Sequence, residues 1–476
     1  MPEKNICRIG LLAVGLEAYW KQFPLLKDRL EKYLQRVYTC LKLENTEIIF
    51  AGLVDSSSKA AEAGSLFKRE DVDIIFLYVP TYALSANILP AVQRVHVPVI
   101  ILNLSPEDSI DYQYFHSLSD RSQMTGEWLA NCSTCTVPEL ILTFRKAGLS
   151  YHLITGTLTD DEVWAEAAEW IEAANVSYAL RRNRLGCMGH YYSGMLDMYT
   201  DLTQIIISFG VQIEMIEVDE LSSLRKNIPA RELSDRMRLF QDHFDIAPDC
   251  SNDELEKAAL TSVALDKMAT AHELGSLTYY YKGSGNPENE ETMSSIIPGN
   301  SLLTARGIPV AGEYDIKNAI AMKIMDCFHS GGSFTEFYAM DYTDDIVLMG
   351  HDGPGHMAIG EGKTKLKPLS IYHGKTGNGM SVEMSVKNGP VTLLSVVPTA
   401  DGRYMLLVAE GESMPGPILE IGNTNSRYKF SIGAKSFVNN WCNEGPAHHC
   451  AVGLGHIAGK IRKLGKLLNL PVKQVC

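Results

Sequence analysis

Short apolar runs alternate with helix-periodic segments in the first part of the chain, and this alternation limits the possible folds more than any other feature. Strand-length runs lie at residues 8–14, 47–54, 73–79, 98–104 and 151–155. Segments between them, such as 19–38 and 82–95, carry apolar residues near a 3.6-residue period. Strands that alternate with helices form parallel sheets covered by helices. The pattern predicts a doubly wound, Rossmann-like α/β domain over residues 1–180.

The next part of the chain repeats this pattern and predicts a second Rossmann-like domain over residues 181–326. A strand is expected from residue 184 and another at 211–218, with a helix near 195–208 between them. A long amphipathic helix is expected at 252–271, and the polar run 283–291 is typical of a surface loop.

From residue 327 onwards the pattern changes to a β-rich one, and a third domain is expected over residues 327–476. Apolar segments at 380–386, 391–397 and 404–409 are separated by Gly, Asn, Pro and Asp. Such segments form antiparallel sheets, so this domain is predicted to be a sandwich or a barrel. The fold class is therefore α/β with a mainly antiparallel C-terminal domain.

Composition excludes several kinds of protein. The net charge of -14 comes from acids that are interspersed along the sequence, which argues against a nucleic-acid partner. Neither a secretory signal nor an apolar run long enough for a membrane span is present, so no membrane partner is expected. The ten cysteines lack the dense spacing of a disulfide scaffold. They predict reduced thiols and a cytoplasmic location.

Four groups of ionisable residues lie in Gly-rich, otherwise apolar sequence, where a buried charge is expensive. They occur in the segments 307–317 (GIPVAGEYDIK), 331–336 (GGSFTE), 345–351 (DIVLMGH) and 445–449 (GPAHH). The candidate ligands in these segments are Glu313, Glu336, His351 and the imidazoles of His448 and His449. Two carboxylates with two imidazoles suit Mn²⁺, with Co²⁺ or Mg²⁺ as alternatives.

Each candidate also has a plain structural explanation. Glu313 stands near a helix start, where the helix dipole favours an acid. Glu336 is compatible with a half-exposed strand position, and the glycines around His351 with a simple turn. The His448–His449 pair is compatible with a helix-flanking surface. Their spacing does not show that they meet, because no short ligand motif links them.

The four segments resemble, in the same order, the metal-site motifs of the L-arabinose isomerase/L-fucose isomerase family. The resemblance implies that Glu313, Glu336, His351 and His449 hold a divalent cation, with His448 beside them. It implies an aldose–ketose isomerase with a sugar substrate, first of all L-arabinose or D-galactose. It also implies a homo-oligomer, with a hexamer favoured, in which active sites are shared between subunits.

Sugar-binding residues are expected in two places. The N-terminal segment containing Glu17 and Tyr19 departs from the family pattern, and Gln123 resembles a family glutamine. The resemblance implies that this segment and Gln123 contribute to the sugar pocket. Independently, His190 and Tyr191 follow a predicted strand at the sheet edge where α/β folds bind ligands, although a capping role is the alternative.

A mechanism follows as a hypothesis. A cation bound to sugar oxygens would stabilise the charge that develops when the C2 proton leaves. Glu313 is predicted to act as the base through an enediol, with Glu336 as its acid/base partner. Acidification should lower activity, because protonated imidazoles release the metal. The competing functions are a metal-dependent epimerase or lyase on a related sugar or sugar acid, and a non-catalytic sugar-binding protein.

Overall fold

The computed structural model describes residues 6–44, 46–282, 285–369 and 377–476. The chain divides into two compact units, unit 1 (Met1–Tyr178) and unit 2 (Ala179–Cys476). Within the described ranges, no helix combines the length and the apolar character that a membrane crossing requires. The division into three domains at residues 180 and 326 stays a prediction.

Unit 1 is built on a parallel sheet. Its strands are β1 (Cys7–Val14), β2 (Thr46–Val54), β3 (Ile74–Tyr78), β4 (Val99–Ser105) and β5 (Tyr151–Thr157). They follow the order β2-β1-β3-β4-β5, and all neighbours run parallel. The central strands β3 and β4 are buried along nearly their whole length, as expected for a sheet covered on both faces. The predicted strands and the doubly wound fold of this part are confirmed.

The helices of unit 1 fill the connections between these strands. They are α1 (Ala18–Gln22), α2 (Leu26–Leu41), α3 (Ser57–Arg69), α4 (Leu89–Val92), α5 (Tyr112–Ser117), α6 (Arg121–Leu129), α7 (Val137–Lys146) and α8 (Asp161–Arg182), which ends in unit 2. The single helix predicted at 19–38 is two helices, because Pro24 lacks the N–H that a helix interior needs. Cys132 and Cys135 form a disulfide, so the prediction that all the cysteines are reduced thiols is not met.

The described residues of unit 2 form three sheets. Its strands are β6 (Arg184–Met188), β7 (Gln212–Ile216), β8 (Asp245–Ile246), β9 (Ser276–Tyr279), β10 (Val310–Ala311), β11 (Gly331–Asp341), β12 (Ile346–His351), β13 (Lys365–Pro368), β14 (Met380–Glu383), β15 (Gly389–Pro398), β16 (Tyr404–Met414), β17 (Thr424–Phe430), β18 (His449–Leu454) and β19 (Val472–Gln474). A parallel sheet has the order β10-β9-β6-β7, and a small sheet has the order β14-β13-β8. The second Rossmann-like sheet is thereby confirmed.

The third sheet of unit 2 is a closed antiparallel barrel. Its order is β15-β18-β11-β12-β17-β16, and β16 also pairs with β15, which closes the barrel. The short strand β19 adds to β16 in the parallel direction. Valines and leucines of the strands form the barrel core together with Phe437 and Trp441. Of the two predicted forms, sandwich and barrel, the structure has the barrel.

The helices of unit 2 are α9 (Leu202–Phe209), α10 (Val218–Lys226), α11 (Ala230–His243), α12 (Asn252–Ala271), α13 (Pro287–Ser294), α14 (Ile297–Ala305), α15 (Ile316–Cys327), α16 (Ala434–Asn443) and α17 (Ala458–Leu468). α15 contacts strands of the parallel sheet and of the barrel, and it is buried along most of its length. It therefore connects the parallel sheet of unit 2 with the barrel, just after the segment that carries Glu313.

Two sequence expectations in unit 2 are wrong. Residues 195–201 of the expected helix near 195–208 form turns and irregular backbone, and α9 begins only at Leu202. The polar run 283–291, of which residues 283 and 284 lie outside the described residues, enters helix α13 at Pro287. Asn286 caps that helix by accepting hydrogen bonds from two backbone N–H groups, so residues read as turn chemistry serve as a helix start.

Candidate active site

The proposed ligands come from four elements of unit 2. Glu313 follows β10, Glu336 lies in β11, His351 ends β12, and His449 begins β18. β11 lies between β12 and β18 in the barrel, with Glu336 opposite Gly350 on one side and opposite His449 on the other. The barrel register therefore brings Glu336, His351 and His449 together across neighbouring strands.

The ligand atoms are close enough to share one cation. One atom each from Glu336, His351 and His449 lie within 4.8 Å of one another, and the same holds for Glu313, His448 and His449. Nε2 of His449 is 3.6 Å from Oε2 of Glu313. The two groups share His449, so the structure brings together all four residues that the sequence singled out, with His448 beside them.

The backbone at Glu313 has an unusual conformation. Glu313 and the next residue, Tyr314, have φ angles of 55° and 60°, in the left-handed region that side chains other than glycine rarely adopt. The backbone N–H of Tyr314 donates to the carbonyl of Tyr279 at 2.9 Å, which ties this turn to the end of β9. Strain of this kind persists only where surrounding contacts impose it, and it is common at functional sites.

A buried carboxylate orients one imidazole. Asp315 is fully buried, and its Oδ2 lies 3.0 Å from Nδ1 of His449. Its Oδ1 accepts from the backbone N–H of Asn318 and caps α15. When an ionised carboxylate accepts from Nδ1–H, the lone pair of the imidazole lies on Nε2. Nε2 of His449 is thus presented towards Glu313.

Phe334 supports both buried imidazoles. Its ring centroid lies 4.3 Å from the ring of His351 and 4.3 Å from that of His449. The two imidazole rings are 5.0 Å apart. His351 and His449 are 3% and 1% exposed, so neither is the surface or loop imidazole that the plain structural explanation required.

His448 stands at the edge of the same site. Its Nδ1 is 2.7 Å from Oδ2 of Asp197, and its backbone N–H donates to the same oxygen at 3.1 Å. Its Nε2 lies 3.7 Å from Oε2 of Glu313 and 4.0 Å from Oε2 of Glu336. Burial would lower the pKa of His448, but Glu313 and Asp197 outweigh it and raise this pKa to about 9.

The two carboxyl groups have different electrostatic surroundings. Burial favours the neutral form of Glu313, but the imidazoles of His448, His351 and His449 outweigh burial and lower its pKa. Burial dominates at Glu336 and raises its pKa above the usual value. Without a metal, Glu313 is therefore the carboxylate that more readily stays ionised, and Glu336 the one that more readily holds a proton.

The donor set fits a divalent cation. Oε2 of Glu313 and Nε2 of His449 are buried, and neither has a hydrogen-bond partner within the part of the chain that the structure describes. Buried polar atoms are nearly always satisfied, so two such atoms 3.6 Å apart indicate a missing partner. Carboxylate oxygens with imidazole nitrogens suit Mn²⁺, Co²⁺ or Mg²⁺ better than a structural zinc, which favours thiolates.

The site opens into a cleft of about 510 Å³. The proposed ligands Glu313, Glu336 and His351 line it together with His448 and Asp352. The remaining wall is mostly aromatic and aliphatic and comes from strand β11 and from several loops. Its residues are Tyr192, Met195, Tyr281, Phe337, Tyr338, Ala339, Leu419, Ile421 and Asn423.

Two other residues that were expected to bind sugar, His190 and Tyr191, lie near the cleft wall but are not part of its described lining. His190 is exposed and packs against Tyr280, with ring centroids 4.4 Å apart. The ring of Tyr191 packs against Tyr314, with centroids 4.8 Å apart. Neither is among the described residues that line the cleft, whereas the neighbouring Tyr192 is.

Glu17, Tyr19 and Gln123 lie in unit 1. Glu17 is exposed and Tyr19 packs on a small apolar cluster, while Gln123 lines a separate cavity of about 440 Å³ within unit 1. Their proposed role as sugar contacts stays a prediction.

Sequence reasoning missed several residues of the site. Asp315 had a usable signal, because an acid directly before a helix and two residues after a candidate ligand can serve both as a cap and as an imidazole partner. Asp197 and Tyr192 had none, because the only pattern around residue 195 suggested a helix. Tyr281 and Asn423 reach the cleft through tertiary packing alone.

The known proteins that this chain resembles include sugar isomerases. Residues 327–475 match the family model described as L-fucose isomerase, C-terminal domain. The chain is 21% identical over 416 residues to sulfoquinovose isomerase of Alkalicoccus urumqiensis, which covers 85% of this chain and 86% of that protein. It is 23% identical over 318 residues to L-arabinose isomerase of Shewanella baltica (strain OS223). That match covers 63% of this chain and 61% of that protein.

Among solved structures, an ABC transporter periplasmic solute binding protein from Actinobacillus succinogenes with bound D-allose has 12% identity and covers 67% of this chain and 91% of its own. Its TM-score is 0.15, so no argument rests on it. The fold, the site and the matched relatives define the class of this protein as an aldose–ketose isomerase. Within that class, the comparisons support an arabinose/fucose isomerase-like family.

Proposed function

We propose that this isomerase converts L-arabinose to L-ribulose, D-galactose to D-tagatose, or both, with a divalent cation held by Glu313, Glu336, His351 and His449. The observation that carries the proposal is the convergence of these four side chains: Glu313, Glu336 and His351 line one cleft, and the buried His449 is shared by two ligand groups. Mn²⁺ is the proposed metal, and Co²⁺ and Mg²⁺ are the alternatives.

The proposed chemistry divides proton transfer between the two carboxylates. A bound divalent cation would act as a Lewis acid on adjacent sugar oxygens. Glu313 takes the proton from C2 of the aldose and returns it to C1, through an enediol. Glu336 exchanges the hydroxyl proton between the two oxygens. His448, whose Nε2 faces both carboxylates, is positioned to hydrogen-bond a sugar hydroxyl.

The charge of the cleft favours a neutral sugar. Its described lining residues include the acids Glu313, Glu336 and Asp352 and no Lys or Arg, and the imidazole of His448, whose pKa is raised, is already paired with Asp197 and Glu313. A sulfonate or carboxylate on the sugar would need a cation to offset its desolvation. We therefore expect neutral aldoses to be preferred over sulfoquinovose, the sugar named in one relative.

A ketose-formation screen tests the proposal. Purified protein is incubated with L-arabinose, D-galactose, other aldoses and sulfoquinovose, with Mn²⁺ added or after exhaustive chelation, and the products are identified chromatographically. Glu313→Gln is expected to lower activity about 10²–10⁴-fold, the range for loss of a general base. Glu256→Gln, an exposed change on α12, is the matched control.

Three outcomes would contradict the proposal in different ways. Full activity after chelation would refute metal dependence, and an epimer or a cleavage product would indicate the epimerase or lyase alternative. Sugar binding without turnover, unaltered in Glu313→Gln, would indicate a non-catalytic sugar-binding protein.

Activity is also expected to fall on acidification, because the imidazoles must be neutral to bind the cation.

We further propose a homo-oligomer, a hexamer by preference, in which Glu17, Tyr19 and Gln123 contribute to the sugar pocket. The resemblance of Gln123 to a family glutamine supports this proposal, together with the role that the family gives to the N-terminal segment, although the residues of that segment depart from the family pattern here. Light scattering coupled to size-exclusion chromatography measures the assembly. A monomer with full activity would contradict it.

A further inference from the structure

The loop between β6 and α9, residues 189–201, forms part of the cleft wall. It supplies Tyr192 and Met195 to the lining. Tyr192 packs against Tyr281, another lining residue, with ring centroids 5.9 Å apart. The described loop has only turns and irregular backbone, and its Gly189 and Gly194 have φ angles of 91° and 97°. No strand or helix pairing therefore sets its conformation.

A buried lysine binds this loop. Lys317 lies in the first turn of α15, four residues after Glu313, and only 2% of it is exposed. Its ammonium group donates to the carbonyl of Asp197 at 2.8 Å, to the carbonyl of Met198 at 3.3 Å and to Oγ1 of Thr200 at 3.1 Å. An ammonium group has three protons, and all three meet oxygens of the same short segment.

The loop is attached a second time through Asp197. Its Oδ2 accepts a hydrogen bond from the backbone N–H of His448, and Nδ1 of the same histidine is also in hydrogen-bond contact with this oxygen. Two residues thus hold the loop. Lys317 lies on α15, the helix that follows Glu313, and His448 lies directly before His449. The loop conformation and the orientation of His448 are connected through one residue.

Burial of a lysine needs a physical reason. A charged ammonium group removed from water is costly unless its protons are satisfied, and an apolar residue would pack at the same place in α15 without that cost. The loop acceptors are what make the burial tolerable. Two of these acceptors are main-chain carbonyls of the loop. They lose a hydrogen-bond donor when the ammonium group is removed.

We propose that Lys317 is a positioning residue for sugar binding: it fixes the 189–201 loop, and through Asp197 it fixes the imidazole of His448 in the cleft. The inference rests on the proposed function of the cleft as a sugar site. Lys317 does not line the cleft in the described residues, so it acts on the sugar through Tyr192, Met195 and His448. Its three hydrogen bonds to the loop assign Lys317 this role.

Lys317→Met tests the inference, because methionine preserves the unbranched apolar stem and removes the ammonium group. Lys323→Met is the matched control: it lies on the same helix, and its ammonium group contacts the carbonyl of Gly307 and Asp326 rather than the loop. Both variants are compared with wild type as the full-length, Mn²⁺-loaded protein. The measurements are kcat and KM for the best aldose, Mn²⁺ affinity by titration, and peptide-resolved hydrogen–deuterium exchange.

For Lys317→Met we expect KM to rise about tenfold with a much smaller change in kcat, since wall residues are displaced while the proposed ligands stay in place. Exchange should increase in residues 189–201, and Mn²⁺ affinity should change little. Lys323→Met should leave KM and loop exchange unchanged. A merely structural role of Lys317 would instead raise exchange throughout unit 2 and weaken Mn²⁺ binding to the same degree.

The outcomes separate this inference from the proposed function. If wild type makes no ketose from any aldose, the proposed function fails, and loop exchange together with sugar binding by calorimetry still decides the role of Lys317. Unchanged loop exchange and unchanged KM in Lys317→Met would overturn the inference. If Lys317→Met does not fold, Asp197→Asn decides: it should raise KM and loop exchange in the same way, and unchanged values would overturn the inference.

Discussion

At the scale of single residues, the site depends on partners that do not touch the substrate. One carboxylate oxygen of Asp315 accepts a hydrogen bond from Nδ1–H of His449, and the other oxygen caps α15. Outer carboxylates of this kind fix the tautomer and the orientation of a metal-binding imidazole. Full burial of Asp315 means that no water can replace it easily.

Asp315→Asn should weaken Mn²⁺ binding about 10–100-fold, the usual effect of losing an outer-shell carboxylate. The asparagine preserves the size of the side chain and its oxygen for the helix cap, so a loss of affinity reports on the charge. Titration of metal-free protein with Mn²⁺ measures it. Asp326→Asn, at the other end of α15, is the control, and equal affinity in Asp315→Asn and wild type would refute the role.

The ligand candidates could be predicted from sequence because each is a charged residue in a Gly-rich, apolar segment. Glu336 and His351 stand out for this reason. Asp197 could not be predicted, because its importance comes from a contact with His448, 251 positions along the chain. The sequence also favoured Tyr191 where Tyr192 faces the cleft, since a shift of one position in a loop has no periodic signal.

At the scale of elements, the barrel strand β12 has one position with no room for a side chain. Gly350 precedes His351 and pairs with Glu336 on one side and Asn425 on the other. A Cβ at Gly350 would overlap the carbonyl oxygen of Thr424 and lie 2.7 Å from the Cα of Asn425. Only glycine allows β12 and β17 to approach this closely.

Gly350→Ala should destabilise the protein by about 1–3 kcal/mol, the usual cost of overpacking, and should also weaken Mn²⁺ binding, because the displaced strand carries His351. Chemical denaturation and Mn²⁺ titration measure the two effects. Gly402→Ala is the control: it has a φ of 79° and open space around it, so it should lower stability through backbone strain while leaving Mn²⁺ affinity unchanged. Normal Mn²⁺ affinity in Gly350→Ala would contradict the argument.

Elements whose apolar residues recur with a clear helical period could be predicted. Elements that are defined by tertiary contacts could not. The helix expected at 252–271 is α12 (Asn252–Ala271), since Ser251 supplies a good cap and the pattern is long. The helix expected near 195–208 begins only at Leu202. Its apolar residues before that point belong to a loop held by Lys317 and His448, contacts that local sequence does not encode.

At the scale of the whole molecule, the proposed metal site belongs entirely to unit 2. Glu313 follows the parallel sheet, and Glu336, His351 and His449 come from the barrel. The site therefore joins the parallel sheet and the barrel of one compact unit, with α15 between them in sequence. A cation bound there would link elements of unit 2 that are distant in sequence.

Mn²⁺ should accordingly stabilise the folded protein by about 2.7 kcal/mol at a concentration of 100 times Kd. Hydrogen–deuterium exchange with and without Mn²⁺ should show the strongest protection in peptides covering β10, β11, β12 and β18. Glu313→Gln, which removes one proposed ligand, should reduce the effect. Absence of any Mn²⁺-dependent protection at these strands would refute the proposed ligand set.

The overall architecture followed from the change of pattern along the chain. Alternating strands and helices indicated the two parallel sheets, and the turn-rich β segments after residue 327 indicated an antiparallel domain. Barrel closure could not be predicted, because it depends on the insertion of β18 between β15 and β11, which lie far from β18 in sequence, and not only on the hairpin of the consecutive strands β15 and β16. Pairings between distant segments leave no trace in local composition.

The left-handed backbone at Glu313 and Tyr314 bears on how this enzyme can be altered by protein engineering. Replacement of either residue by glycine would relieve the conformational penalty, yet it would also release the turn that aims the carboxylate. In the wall loops at 189–201 and around Leu419, the residues with positive φ angles are glycines. Libraries intended to change sugar preference should therefore randomise the wall positions Tyr192, Met195, Leu419 and Ile421 and keep the segment 312–315 intact.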